Sequence, residues 1–171
     1  MPTTPIDARK QRWREFLAPD ARPGFMFHVN YNDPELPVPA PPHRWPSLVS
    51  ERIERAWLAY TIQRQKADWI DDDRVPFLDN VTGTEIFAEA MGCRVERPED
   101  TMPFALPFVH TPKQADAVEA PELHSSTLAY LFDIADELHR RTGADAVLKP
   151  VDIQSPMDIA ALVWDKADFF V

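Results

Sequence analysis

Residues 146–163 read AVLKPVDIQSPMDIAALV, and this stretch places a short strand directly before a helix. Apolar residues dominate the part from about Ala146 to Asp152, which has the length of a strand. The helix is predicted to begin after Ser155, because Ser-x-x-Asp is a capping-box pattern and Pro156 suits the first helical position. A strand followed at once by a helix is the repeating unit of α/β folds, so the stretch indicates that class.

The rest of the chain shows the same alternation of helix and strand. Helices are predicted over residues 7–18, after Ser47 or Ser50, over residues 85–91 and after Ser126, and strands over residues 24–30 and 74–80. Residues 33–46 hold six prolines and are predicted to form an extended proline-rich loop. Residues 93–124 are predicted to be mostly loop, with a short helix near residues 112–118. The alternation predicts an α/β fold with a parallel sheet.

Composition limits the class of protein and its partners. A chain of 171 residues with 44% hydrophobic residues fits one soluble globular domain. The net charge of −10 argues against nucleic acid or an anionic membrane surface as the partner. The chain has one cysteine, Cys93, and no apolar leader or membrane-length apolar run, so the expected location is the cytoplasm.

Polar side chains follow two of the predicted strands. Asp79 and Asn80 end the first, and Asp152 and Gln154 end the second. Ser155 then opens a helix whose free N–H groups can bind an anion. Ligands of parallel α/β folds bind at the carboxyl ends of strands, so these five are the candidate substrate-binding or catalytic residues. The alternative is that they cap the next helix or close a turn.

Metal and nucleophile motifs are missing from the sequence. The five histidines are isolated, without H-x-H, H-x-x-x-H or His-Cys spacing, and no C-x-x-C pair is present. There is also no G-x-S-x-G, no HExxH and no phosphate-binding glycine loop. No metal site is predicted within the chain.

Two longer segments resemble the uroporphyrinogen decarboxylase superfamily. They are VPFLDNVTGTEIFAEAMGC (75–93) and VDIQSPMDIAALVWDKADFFV (151–171), and RKQRWREFL (9–17) fits the same pattern. The resemblance implies a (β/α)8 barrel, which needs about 250 residues. Residues 1–171 therefore correspond to the N-terminal half of such a barrel domain. The helix after Ser155 has no stop signal, so it is expected to continue to Val171, as at a truncation point.

The resemblance implies a role for Asp79. Asp79 matches the aspartate that binds the pyrrole nitrogens of the substrate in the decarboxylase, where its charge stabilises a cationic intermediate. The decarboxylase also carries an Arg-Gln-Ala-Gly-Arg segment that binds the substrate carboxylates. The corresponding FHVNYNDPEL (27–36) has no arginine. The methyltransferase-like branch, which acts on corrinoid or thiol methyl groups, is therefore favoured, with tetrapyrrole decarboxylation as the alternative.

The expected cofactors and partners follow from that branch. Its zinc is held by ligands in the second half of the family's barrel, so no cofactor is expected within this chain. The expected substrate is a small molecule or a corrinoid. A second alternative is an inactive truncated fragment or binding module, since half a barrel leaves open sheet edges and would dimerise or aggregate. A homodimer is the assembly expected in that case. A third alternative is a self-contained small α/β binding domain.

Overall fold

A computed structural model describes residues 5–22, 24–31, 45, 48–80, 82–143 and 145–169. The helices are α1 (Pro5–Phe16), α2 (Val49–Ala67), α3 (Ile86–Ala90), α4 (Pro112–Ala115), α5 (Ala129–Thr142), α6 (Pro156–Val163) and α7 (Lys166–Phe169). The strands are β1 (Phe77–Leu78), β2 (Arg94–Glu96), β3 (Phe104–Leu106) and β4 (Val147–Leu148). No helix among these residues combines the length and the apolar character that crossing a membrane requires.

The fold is mixed α/β. Within the described residues, β1 and β4 form a parallel pair and β2 and β3 an antiparallel pair. The predicted parallel pairing is thus present, although both strands are shorter than residues 74–80 and 146–152. The predicted proline-rich loop lies outside the described residues except for Trp45.

The first core cluster lies between the parallel strands and the two long helices. Leu78 of β1 and Ile134 and Leu138 of α5 are fully buried, together with Ala56 and Tyr60 of α2. The two helices bury one apolar face each, as their periodicity predicts. Burial of these side chains removes apolar area from water and orients β1 and β4 between the helices.

A charged network joins the outer faces of α2 and α5. The Arg141 guanidinium contacts Glu54 Oε1 of α2 at 2.7 Å and Glu137 Oε1 at 2.8 Å. Hydrogen bonds from Arg140 and Arg141 lower the pKa of Glu137 to about 2. Since these groups are largely solvated, the network adds specificity to the helix pair more than stability.

A hairpin in residues 93–124 was not predicted. β2 and β3 pair with Arg94 opposite Leu106 and Glu96 opposite Phe104. Each strand has three residues and is partly solvated, so neither shows a readable apolar alternation. Most of the remaining residues in 93–124 form loops, as predicted, so the hairpin is the part that the prediction missed. The short helix near residues 112–118 is confirmed as α4, which Thr111 caps.

A second core cluster joins the hairpin to α3 and α6. Its buried members are Ala88, Cys93, Val109 and Val163. The Cys93 Sγ lies 3.9 Å from the carbonyl oxygen of Leu162. Cys93 is 4% exposed and belongs to the packed interior, and this burial raises the pKa of its thiol.

The prediction of a buried strand over residues 24–30 is wrong. Phe25 in this segment is 80% exposed. Two carboxylates accept N–H groups of the segment: Asp73 Oδ2 from Phe27 at 3.1 Å and Asp72 Oδ2 from Val29 at 2.9 Å. The N–H of Asp73 donates to the carbonyl oxygen of Phe27 at 3.0 Å, so side chains and a single backbone bond hold the segment where a strand was predicted.

Two predicted helix boundaries are confirmed, at Ser155 and at Gly143, whereas α5 begins behind Leu128 rather than at Ser126. Ser155 Oγ accepts the N–H of Asp158 and the Asp158 carboxylate accepts the N–H of Ser155, which confirms the capping box. Gly143 ends α5 with a φ of 88°. Ser50 is not the N-cap of α2, because the helix begins at Val49 and Ser50 lies within its first turn. The N-cap residue is Leu48, whose side chain makes no capping hydrogen bond. Ser47 lies outside the described residues.

The expected continuation of the last helix beyond Val163 is wrong. Trp164 is extended, with φ −96° and ψ 141°, and forms a parallel bridge with Val109. The N–H groups of Phe108 and Val109 both donate to the carbonyl oxygen of Val163 at 3.1 Å. These tertiary hydrogen bonds replace a further helical turn, and the short α7 follows as a separate element.

Candidate functional site

The carboxyl ends of β1 and β4 bring two charged side chains together. Because the strands are parallel neighbours, Asp79 follows β1 where Lys149 follows β4, and the N–H of Lys149 donates to the carbonyl oxygen of Leu78 at 2.8 Å. Lys149 Nζ then lies 3.1 Å from Asp79 Oδ2, with 54% and 36% of the two side chains exposed. The predicted residue Asp79 therefore lies at a solvent-accessible strand end beside a cation.

Lys149 is a site residue that the sequence interpretation missed. The predicted strand over 146–152 places Lys149 in its interior, whereas β4 ends at Leu148. The register of β4 against β1 is the signal that identifies it, because position 149 is opposite position 79. Sequence alone does not contain that register.

Asn80 borders a cavity at the same strand ends. The cavity measures about 420 Å³, and its wall includes Lys149 and the apolar side chains of Leu131 and Phe132. Asn80 is 5% exposed, and its Oδ1 has no hydrogen-bond partner among the described residues. A buried amide oxygen without a partner is costly, and its burial keeps this atom out of contact with solvent.

The remaining predicted residues divide between two places. The N–H of Asp152 lies 3.4 Å from Thr82 Oγ1, so Asp152 stays near the loop after β1. Gln154 borders a different cavity, lined by α6 and the segment around Val109. The Ser155 hydroxyl is used in the capping box of α6 and also lies 2.8 Å from Asp158 Oδ2. The structure therefore brings Asp79, Asn80 and Asp152 to one region, and gives Ser155 a capping position.

Glu85 is a second residue that the sequence interpretation missed. It is 1% exposed, and neither carboxylate oxygen has a well-formed hydrogen bond to another described residue. A Cβ at position 83 would overlap Glu85 Oε2, so Gly83 leaves the space that this carboxyl occupies. Burial raises the pKa of Glu85, and the charges of Arg52 and Arg97 oppose this shift only in part.

The raised pKa of Glu85 predicts a pH-dependent stability difference from Glu85→Gln. The folded state holds the Glu85 proton more tightly than the unfolded chain, so the stabilisation is complete below the ordinary glutamate pKa and is lost as pH rises through the raised pKa. Unfolding by urea between about pH 4 and pH 8 should show the wild-type free energy of unfolding falling relative to E85Q. The exposed Glu122→Gln is the control and should give a flat difference. A wild-type free energy of unfolding that stays constant or rises relative to that of E85Q between these pH values would contradict the prediction.

A larger cavity of about 710 Å³ lies beside residues 26–28, which precede β1 in the chain. Its wall includes Phe27, His28, Asp73 and Arg74. None of the predicted site residues borders it, and its lining reaches no further along the chain than Phe77, the first residue of β1. The predicted site residues therefore define the site at the strand ends and not this cavity.

The described residues contain no group of three or more His, Cys, Asp or Glu side chains able to hold a metal ion.

Comparison of the chain with protein-family models, with curated proteins and with solved structures finds no match. The functional interpretation therefore depends on the residues and contacts of the site itself.

Proposed function

We propose that the chain is the N-terminal part of a (β/α)8 barrel of the uroporphyrinogen decarboxylase superfamily. The full-length enzyme is methyltransferase-like and acts on corrinoid or thiol methyl groups. The observation that supports this most is the Asp79–Lys149 pair at the carboxyl edge of parallel strands, where such folds bind their substrates. The motif resemblance around Asp79 supports the same proposal.

The residues of the strand ends have distinct roles in the proposal. Asp79 offers acceptor oxygens to polar hydrogens of the substrate, Lys149 fixes the orientation of the Asp79 carboxylate, and Asn80 forms part of the cavity wall beside them. The cavity beside Asn80 takes an apolar part of the substrate, because Leu131 and Phe132 line it. Asp152, whose backbone N–H lies 3.4 Å from Thr82 Oγ1, is the second carboxylate of this region in the proposal.

Two observations favour methyl transfer over tetrapyrrole decarboxylation. The segment that corresponds to the arginine-rich stretch of the decarboxylase has no arginine, and its described part is held by Asp72 and Asp73. Lys149 already compensates the charge of Asp79, so a cationic pyrrole intermediate would gain less from this carboxylate. Uroporphyrinogen decarboxylase activity remains the alternative, with an inactive fragment or binding module as the second.

The proposal extends to cofactor, partners and location. Zinc ligands lie outside this chain, the substrate is a small molecule or corrinoid, and nucleic acid and membranes are not partners of a chain with charge −10. Large apolar side chains are exposed, among them Phe25 and Ile153, which supports a homodimer. The buried free thiol of Cys93 fits the reducing cytoplasm.

The test measures equilibrium binding of methylcobalamin and of uroporphyrin I to the 171-residue protein. Quenching of tryptophan fluorescence reports the binding. We expect methylcobalamin to bind at least tenfold more tightly than the polycarboxylate uroporphyrin. Asp79→Asn should weaken methylcobalamin binding about tenfold, the loss expected for one charge-assisted hydrogen bond. Its free energy of unfolding should change little, because the Asp79–Lys149 pair is solvated.

Asp133→Asn is the matched control, since Asp133 is an exposed carboxylate on α5. It should leave binding of both ligands unchanged. Preferential binding of uroporphyrin would support the decarboxylase alternative. Equal binding by wild type and D79N, or no binding of either ligand, would overturn the proposed role of Asp79.

A further inference from the structure

Residues 25–31 present a stripe of large apolar side chains to solvent. Phe25 is 80% exposed, and Phe27, Val29 and Tyr31 are 49%, 41% and 43% exposed. These positions are two residues apart, which is the spacing of side chains on one face of an extended chain. The ring centroids of Phe25 and Phe27 lie 6.4 Å apart, as neighbours on such a face would. A contiguous apolar surface of this kind marks a site of interaction.

The backbone of the same residues is hydrogen-bonded along one edge. The N–H of Phe27 donates to Asp73 Oδ2, and its carbonyl oxygen accepts the N–H of Asp73. The N–H of Val29 donates to Asp72 Oδ2, and its carbonyl oxygen accepts from Arg74 at 3.4 Å. In an extended chain, the N–H and carbonyl groups of one residue point to the same side. The fold therefore occupies the edge that the odd-numbered residues form.

The even-numbered residues form the opposite edge, and this edge is open. Among the residues that the structure describes, none makes a hydrogen bond to the N–H or carbonyl group of Met26, His28 or Asn30. His28 and Asn30 are also exposed. A row of unpaired N–H and carbonyl groups is a template for a further strand. The open edge and the apolar face thus fit the same kind of occupant, which is an extended strand.

We propose that this edge pairs with the same edge of a second copy of the chain, as antiparallel strands related by a two-fold axis at His28. In this register Met26 lies opposite Asn30 of the partner subunit, and the two copies of His28 lie opposite each other. The even-numbered residues then form hydrogen-bonded pairs, with about six backbone hydrogen bonds in total. Two-fold self-pairing is also the commonest symmetry of soluble oligomers.

The side chains of the segment favour this self-pairing. Phe27 lies opposite Val29 of the partner subunit, and Phe25 lies opposite Tyr31 of the partner subunit. Aromatic side chains pair favourably with aromatic and β-branched ones across strands, and these positions are the non-hydrogen-bonded pairs, where side chains lie closest. Residues 24–31 contain no Asp, Glu, Lys or Arg, although the chain carries a net charge of −10. The strand pair therefore brings no like-charged carboxylates or cations opposite each other.

This inference gives a surface to the homodimer of the proposed function, and it rests on that assembly but not on the proposed methyl transfer. Asp79 and Lys149 lie at the ends of β1 and β4 and are not part of the edge. Asp79→Asn should therefore leave dimerisation unchanged. A dimer that does not bind methylcobalamin would overturn the proposed chemistry alone. A monomer that binds methylcobalamin would overturn the strand pairing alone.

The first test is sedimentation equilibrium of the 171-residue protein. We expect a monomer–dimer equilibrium with a Kd on the order of 10 μM, because one strand pair is a small interface. Phe25→Ala removes two symmetric cross-strand pairs and should weaken dimerisation about tenfold, without unfolding the monomer, since Phe25 is exposed. Ile153→Ala is the matched control, because Ile153 is 73% exposed and lies outside residues 25–31, and it should leave the Kd unchanged.

Amide hydrogen exchange followed by NMR tests the edge itself. When the protein concentration rises from about 10 μM to about 1 mM, exchange at Met26, His28 and Asn30 should slow about fivefold or more. Exchange at Phe27 and Val29 should change less, because their N–H groups are already bonded within each copy. This two-residue alternation distinguishes strand pairing from a dimer that forms by contact of the apolar faces.

Three results would overturn the proposal. The first is a protein that stays monomeric up to about 1 mM, since the expected Kd is about a hundredfold lower. The second is an effect of I153A on dimerisation as large as that of F25A, which would place the interface elsewhere. The third is a dimer in which the even-numbered amides are not protected more than the odd-numbered ones.

Discussion

Replacement of Arg9 by methionine is expected to lower the free energy of unfolding by about 3–5 kcal/mol, the loss typical when one partner of a buried ion pair is removed. Arg9 of α1 is 3% exposed, and its guanidinium lies 3.8 Å from Asp72, whose side chain is equally buried. The variant would leave the Asp72 carboxylate buried without this cation. That carboxylate also accepts the N–H of Val29. Loss of Arg9 would therefore also weaken the attachment of residues 24–30 to the rest of the fold.

Arg9 also caps the carboxyl end of α2. It donates to the carbonyl oxygens of Ala67 at 3.0 Å, of Ile70, and of Arg74 at 3.1 Å. The last carbonyl groups of a helix have no intrahelical partner, so the guanidinium supplies bonds that the helix cannot supply itself. Loss of this side chain therefore removes hydrogen bonds and charge compensation together.

Urea unfolding followed by circular dichroism measures the effect. Arg14→Met is the matched control, because Arg14 is an exposed arginine of the same helix, and it should change the free energy of unfolding by less than about 0.5 kcal/mol. Arg9→Lys keeps the charge but cannot reach several carbonyl oxygens at once, so it should be intermediate. Equal effects of R9M and R14M would refute the assigned role of Arg9.

Leu78→Ala is expected to cost about 2–5 kcal/mol, the range for a fully buried leucine truncated in a core. Leu78 of β1 is fully buried between Ile134 and Leu138 of α5 and Tyr60 of α2. The cavity left behind would lie one residue before Asp79. The variant should therefore also loosen the Asp79–Lys149 pair, since Leu78 carries the carbonyl oxygen that orients Lys149.

Thermal and urea unfolding measure the change in the free energy of global unfolding. Amide hydrogen exchange at Lys149 measures how much more readily the hydrogen bond between Lys149 and Leu78 opens locally. Leu17→Ala provides the comparison, because Leu17 is 71% exposed and should change the free energy of unfolding by less than about 0.5 kcal/mol. An L78A protein as stable as wild type would show that β1 does not lie in the core.

The candidate site was predictable where local sequence defines it. Asp79 and Asn80 follow an apolar strand, and that pattern located the carboxyl end of β1 correctly. Lys149 and Glu85 were not predictable in the same way. The position of Lys149 beside Asp79 results from the register between two strands that lie 70 positions apart in the sequence. The burial of Glu85 results from the side chains that cover it in the folded chain.

The sequence by itself determined the mixed α/β class, the long helices α2 and α5, and the capping box that begins α6, because periodicity and caps act within a few residues. Only the tertiary structure decided that Asp72 and Asp73 hold residues 24–30 in place of a strand, and that α6 ends where Trp164 meets Val109. These outcomes depend on hydrogen bonds between distant segments. Local propensity does not predict these hydrogen bonds, because they stabilise the chain only after folding has brought the two distant segments together.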